Sequence, residues 1–75
     1  MDDKLKAIMS EVLEVPVDQI GENTTMDNTG TWDSLRHIEL VVALEAGFHV
    51  SFPGNEPAEM TSFAAIRKLI GARAM

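Results

Sequence analysis

Between Ser34 and Ala46 apolar residues recur at helical spacing twice over, and no other feature of the chain restricts the fold as strongly. On a wheel at roughly 100° per residue, Leu40, Leu44, Phe48, Val41 and His37 gather on one side. Leu35, Ile38 and Val42 gather nearly opposite, with Ser34 and Glu45 between the two stripes. A helix on the outside of a small bundle needs only one apolar stripe. The wider one, with Phe48, is the expected core face. The second would also be core if the helix were enclosed on every side, but 75 residues supply few elements to enclose it. The second stripe is therefore expected to be a partly exposed docking face.

The flanking sequence predicts the other elements. Asp2 or Asp3 caps a first helix and complements its dipole. Leu5, Ile8, Met9 and Val12 follow at helical spacing, and the pattern stops near Glu14 because Pro16 cannot continue it and restricts Val15. Val15, Val17 and Ile20 are expected to turn inward. Residues 16–33 read as one long loop, rich in Gly, Asn, Thr and Asp and without apolar periodicity. Loops of that length are uncommon in compact domains and are often functional or mobile; Val17, Ile20 and Met26 are the residues expected to pin it. Gly47 suits the left-handed position after helix two. Phe48 to Phe52 alternate like a strand, but no second run pairs with them, so they read as an apolar connector. Pro53-Gly54-Asn55 is turn chemistry, and Asn55 caps a short helical turn through Met60, with Pro57 near its start. Thr61 or Ser62 caps a final helix with Phe63, Ile66, Leu69 and Ile70 inward. Gly71 marks its end, and Arg67, Lys68 and Arg73 suit its C-terminal dipole. The expected fold is all-α: a small four-helix bundle, with three principal helices, one short helix and a long first loop. Residues 1–75 are expected to form a single domain.

Charge narrows the partners. The net charge is −6, from 12 acids against 6 Lys and Arg. Arg36 is the lone base between Glu11 and Glu59; Lys4, Lys6, Arg67, Lys68 and Arg73 lie near the ends. An acidic middle argues against nucleic acid and against insertion at an anionic membrane surface. It fits protein partners with basic patches, or simply the solubility of a small domain. No stretch approaches the roughly 20 apolar residues of a membrane span. Met-Asp-Asp-Lys lacks the basic start and apolar run of a signal peptide, so a cytoplasmic protein is expected. There is no Cys, so any thioester chemistry needs a sulfur from an added group.

Ser34 stands where the polar loop enters helix two. The simplest role for Ser34 or Asp33 is to cap that helix. A nucleophilic triad of Ser34, His37 and Asp33 has poor geometry: His37 falls on the core side, Asp33 adjoins the Ser, and no Gly-x-Ser-x-Gly elbow exists. His37 reads instead as a satisfied boundary residue. Aligning Gly30 with the glycine of a calcium-binding loop puts Thr25 and Arg36 at ligand positions, and both are wrong.

The run Trp32-Asp33-Ser34-Leu35, continuing through His37, Ile38 and Leu40, resembles the acyl carrier proteins. Chain length, acidity, the long loop after helix one and Phe63-x-x-Ile66 in the last helix extend the resemblance over nearly the whole chain. It implies a non-catalytic carrier whose Ser34, preceded by Asp33, is esterified by a 4'-phosphopantetheine arm from coenzyme A through a phosphopantetheinyl transferase. The arm would carry acyl or aminoacyl groups as thioesters. Helix two would be the recognition helix, presenting Leu35, Arg36, Ile38, Glu39, Val42 and Glu45. The implied partners are loading ligases and acyltransferase or synthase enzymes with basic patches, met by a monomer. Arg36 departs from the acid that many fatty-acid carriers have there, and the loop before Ser34 lacks their usual Asp-Leu-Gly. Trp32 is closer to discrete carriers of specialised pathways, so fatty-acid, polyketide, nonribosomal-peptide and surface-sugar acylation all stay open. The rival from another class is a non-carrier interaction module that uses the same helix and keeps Ser34 as a cap.

Overall fold

Asp2 and Asp3 lie inside the first turn of α1 (Asp2–Leu13), where their charges complement the helix dipole. The computed structural model describes residues 2–73. Leu5, Met9 and Leu13, each four residues from the last, are buried, with Ile8 and Val12 packed beside them. The inward stripe is thus rotated slightly from the expected one, and Leu13 joins it. Glu14 then takes a left-handed φ of 56°. Val15 N–H donates back to Ser10 O at 3.3 Å, and Ser10 Oγ donates to Val15 O at 2.6 Å. This closes the last turn before Pro16.

The loop expected over residues 16–33 is well tied down. It opens with a 3-10 turn (Val17–Gln19). Ile20 is buried and Val15 half-buried beside α1. Together they fill that space, so Val17, expected inward, is left 49% exposed. Met26 N–H donates to Thr61 O at 2.8 Å and Phe63 N–H to Thr24 O at 2.9 Å. These bonds flank an isolated antiparallel bridge between Thr25 and Ser62. Arg67 adds ion pairs to Asp2 (3.4 Å) and Glu22 (2.5 Å), joining the last helix to the first and to the loop.

The second principal helix, α2 (Ser34–Phe48), runs past the expected end at Ala46. Gly47 lies inside it, and His49 takes the left-handed position at φ 55°. Glu45 O accepts from both His49 N–H and Val50 N–H. The extra turn carries Phe48 onto the core. Gly47 has a different use: a Cβ there would lie 2.7 Å from Ile8 Cδ1, so the glycine lets α1 come close. Leu40 and Leu44 are fully buried; Val41, Phe48 and His37 flank them.

The connector after α2 forms no strand, and Val50 and Phe52 pack on the core. The short α3 (Glu56–Glu59) follows, with Asn55 at its cap position. The Asn55 side chain does not bond there, contrary to expectation; its backbone carbonyl accepts from Ala58 N–H at 3.1 Å. Ser62, not Thr61, caps α4 (Phe63–Arg73), its Oγ accepting from Ala65 N–H at 3.1 Å. Gly71 sits within α4, and only Arg73 among the bases occupies the last turn. Phe63, Ile66 and Ile70 are buried and Leu69 flanks them. The fold is all-α, with three longer helices and one short one around a core that also takes in Trp32 and Met60. No helix of the described residues is long and apolar enough to cross a membrane.

Candidate functional site

The start of α2 is fixed from below by Trp32, only 2% exposed. Two tight backbone bonds bring the chain up to it: Trp32 N–H to Thr29 O (3.0 Å) and Asp33 N–H to Thr31 O (3.1 Å). Asp33 is extended and is the N-cap. Its Oδ1 accepts from Arg36 N–H at 2.9 Å, and its carbonyl accepts from His37 N–H at 2.8 Å. Asp33 therefore does the capping, and Ser34 becomes the first helical residue, exposed to solvent. Among the described residues no hydrogen bond engages the Ser34 hydroxyl, and the Ser34 and Leu35 amides are also free. Free amides and the positive helix end favour a phosphate there; the Asp33 carboxylate opposes it.

His37 is fully occupied. Trp32 Nε1–H donates to its Nδ1 at 3.1 Å, so the imidazole proton sits on Nε2, which donates to Pro57 O at 2.6 Å. The two rings stack with centroids 6.0 Å apart. With both nitrogens engaged away from Ser34, the chain supplies no imidazole base for that hydroxyl. This line of contacts from Trp32 through His37 to α3 was not foreseen in the sequence. The one available signal was a Trp and a His five residues apart across a helix start.

Arg36 folds back from the site. Its Nη1 donates to Val12 O, at the C-terminal end of α1, at 2.6 Å, and its Nη2 pairs with Glu14. The Glu14 hydrogen bond and charge raise its pKa above the ordinary arginine value; burial opposes this, and the charges of Glu39 and Asp33 add lesser support. The side chain stays cationic at any working pH and braces α2 against α1. Glu39 reaches to 4.0 Å from Arg36 Nε and is otherwise exposed. Leu35, Ile38 and Val42 are 65%, 63% and 60% exposed. The apolar face opposite the core is thus open beside Ser34. Glu45 is half-buried, its Oε2 accepting from Phe52 N–H at 2.9 Å.

The chain is similar to known proteins. The family model described as "Phosphopantetheine attachment site" matches residues 3–70. The chain is 35% identical over 72 residues to the non-reducing polyketide synthase pkbA of Emericella nidulans, an overlap covering 96% of this chain and 3% of that protein. It is also 35% identical over 60 residues to an acyl carrier protein of Cyanidioschyzon merolae, covering 80% of this chain and 66% of that one. The chain therefore spans a small fraction of the first relative and just under two thirds of the second.

Proposed function

The chain belongs to the phosphopantetheine-attachment family, and from that premise we propose that it is an acyl carrier whose arm is joined to Ser34. The observation that carries this reading is the division of roles at the start of α2. Asp33 takes the cap, which leaves Ser34 Oγ exposed and without a hydrogen-bond partner among the described residues. The residues fit a phosphodiester at that oxygen: the free Ser34 and Leu35 amides and the helix dipole offset its charge. The arm, when present, supplies the thiol that the Cys-free chain lacks and holds its cargo as a thioester.

What the chain itself does is present and select. Trp32, held by His37, fixes the height and direction of the helix start. The Leu35, Ile38 and Val42 face offers apolar contact, and Glu39 adds charge at its border. The general base for loading and the chemistry on the cargo belong to other proteins: a phosphopantetheinyl transferase, then loading ligases, acyltransferases or synthases. On this reading those partners present basic and apolar surfaces, and residues 1–75 act as one carrier domain, monomeric and in the cytoplasm.

Intact mass after incubation with coenzyme A and a broad-specificity phosphopantetheinyl transferase tests the assignment. One phosphopantetheine added to the Ser34 peptide is expected. An unmodified chain, treated beside a carrier that loads, would favour the interaction module that keeps Ser34 as a plain helix residue.

A further inference from the structure

Helix bonds secure little of the first turn of α2. The Ser34 and Leu35 amides have no acceptor among the described residues, and the Arg36 and His37 amides both run back to Asp33. The place of the Ser34 hydroxyl therefore depends on what holds the residues just before it.

That hold is Trp32, and Trp32 is itself held by His37. The imidazole Nδ1 accepts from the indole N–H at 3.1 Å, while Nε2–H donates to Pro57 O at 2.6 Å. One ring thus ties together the segment that enters α2, α2 itself and α3. The far end of the tie is firm. Met60, which follows α3, is fully buried, and Glu56 at the start of α3 pairs with Arg73 of α4. Met60 N–H also donates to Pro57 O, at 3.2 Å. The helix does not need this tie in order to form: Asp33 caps it, and Leu40 and Leu44 seat it in the core.

We propose that His37 is a positioning residue for the loading of Ser34. By holding Trp32 against α3 it sets where the hydroxyl stands, and so the rate of transfer once a transferase is bound. The proposal rests on the reading of Ser34 as the attachment point. In that transfer Ser34 Oγ bonds to the phosphorus that carries pantetheine. The bond from this phosphorus to the adenosine bisphosphate portion of coenzyme A breaks, and the hydroxyl proton passes to a base on the transferase. Such a displacement needs the attacking oxygen in line with the leaving group, and a misplacement of about 1 Å can cost on the order of 10²-fold. Binding falls instead to the exposed side chains of Leu35, Ile38, Val42 and Glu39. His37 acts on the reaction only through Trp32.

Loading with coenzyme A, followed by intact mass in single turnovers under excess transferase, separates the maximal rate from the half-saturating transferase concentration. His37→Phe keeps a ring against Trp32 and removes both hydrogen bonds. In the folded variant, checked by circular dichroism, the maximal rate is expected to fall roughly ten-fold or more, with half-saturation changed by less than about two-fold. His37→Gln, whose amide offers one acceptor and one donor, recovers most of that rate. Trp32→Phe removes the indole donor from the other side of the same bond. Its loss and that of His37→Phe do not multiply in the double variant, because both break one link. Four results would each overturn the proposal while leaving Ser34 as the attachment point: a folded His37→Phe chain that loads at the native rate, a deficit confined to half-saturation, losses that multiply, or a folded His37→Gln chain as slow as His37→Phe. A native chain that gains no mass overturns both. Where His37→Phe does not fold, the same split measured on Trp32→Phe decides in its place.

Discussion

At the scale of single residues, neighbours at the start of α2 have separate tasks, and substitution should separate them. Ser34 has an exposed side chain with no hydrogen bond among the described residues, so Ser34→Ala should keep the helical circular dichroism and change stability by no more than about 0.5 kcal/mol. It should gain no phosphopantetheine. A collapse of the helix signal would show that the serine is structural first. Asp33→Ala removes the cap and should cost about 1 kcal/mol. His37→Phe keeps an aromatic ring against Trp32 but leaves the buried indole N–H without its acceptor. An unpaired buried donor costs about 1–3 kcal/mol, so an unfolding free energy lowered by that amount is expected, seen as a lower urea midpoint followed by the fluorescence of this single Trp. An unchanged midpoint would mean that water replaces the imidazole at no cost.

At the scale of elements, the tightest constraint is the crossing of α1 and α2 at Gly47. Alanine is favoured over glycine inside a helix by about 1 kcal/mol, but its Cβ here would press on Ile8 Cδ1. Deleting that methyl with Ile8→Val separates the two effects. Gly47→Ala should be neutral or destabilising in the native background and stabilising by about 1 kcal/mol in the Ile8→Val background. Equal effects in both backgrounds, measured by denaturant titration as a double-mutant cycle, would show that Ile8 simply rotates away. This position also marks the limit of what local sequence pattern encodes. Helical periodicity disclosed the helices and both faces of α2, because burial follows the 3.6-residue repeat and needs no knowledge of partners. Glycine suits a left-handed cap, so the sequence alone points to a helix end at Gly47. The role it holds depends on a side chain nearly forty positions away, which no local pattern encodes. Trp32 and Met60 escaped for the same reason: they lie outside regular repeats, and only the folded loop brings them inward. The loop's order, too, comes from its pairing with residues 61–63, a long-range contact. Asp33 and Ser34 were legible as a pair, but which of them caps was settled by backbone geometry.

At the scale of the whole molecule, the net charge of −6 is spread unevenly after internal pairing. Arg36 is held by Glu14 and the end of α1, Arg67 by Asp2 and Glu22, and Arg73 by Glu56. Lys4 lies over the Phe48 ring and Lys6 over Phe63. Along α2, Glu39 is the acid that stands exposed on the side of Ile38 and Val42, while Glu45 is drawn to the Phe52 amide. The two glutamates should therefore respond differently to reversal. Glu39→Lys should leave the fold intact and weaken binding to the transferase at low salt by about 1 kcal/mol, roughly five-fold, the scale of a rim charge pair. That loss should fade near 1 M salt, where the screening length falls to about 3 Å. Glu45→Lys should in addition lower stability by about 1.5–3 kcal/mol, because a backbone donor loses a charged acceptor, and this part should persist at high salt. Titrating both variants at two ionic strengths, with thermal unfolding alongside, distinguishes attraction at a distance from damage to the fold. A Glu39→Lys deficit equally large at both ionic strengths would remove charge from the account of partner choice and leave the apolar face of Leu35, Ile38 and Val42 to carry it alone.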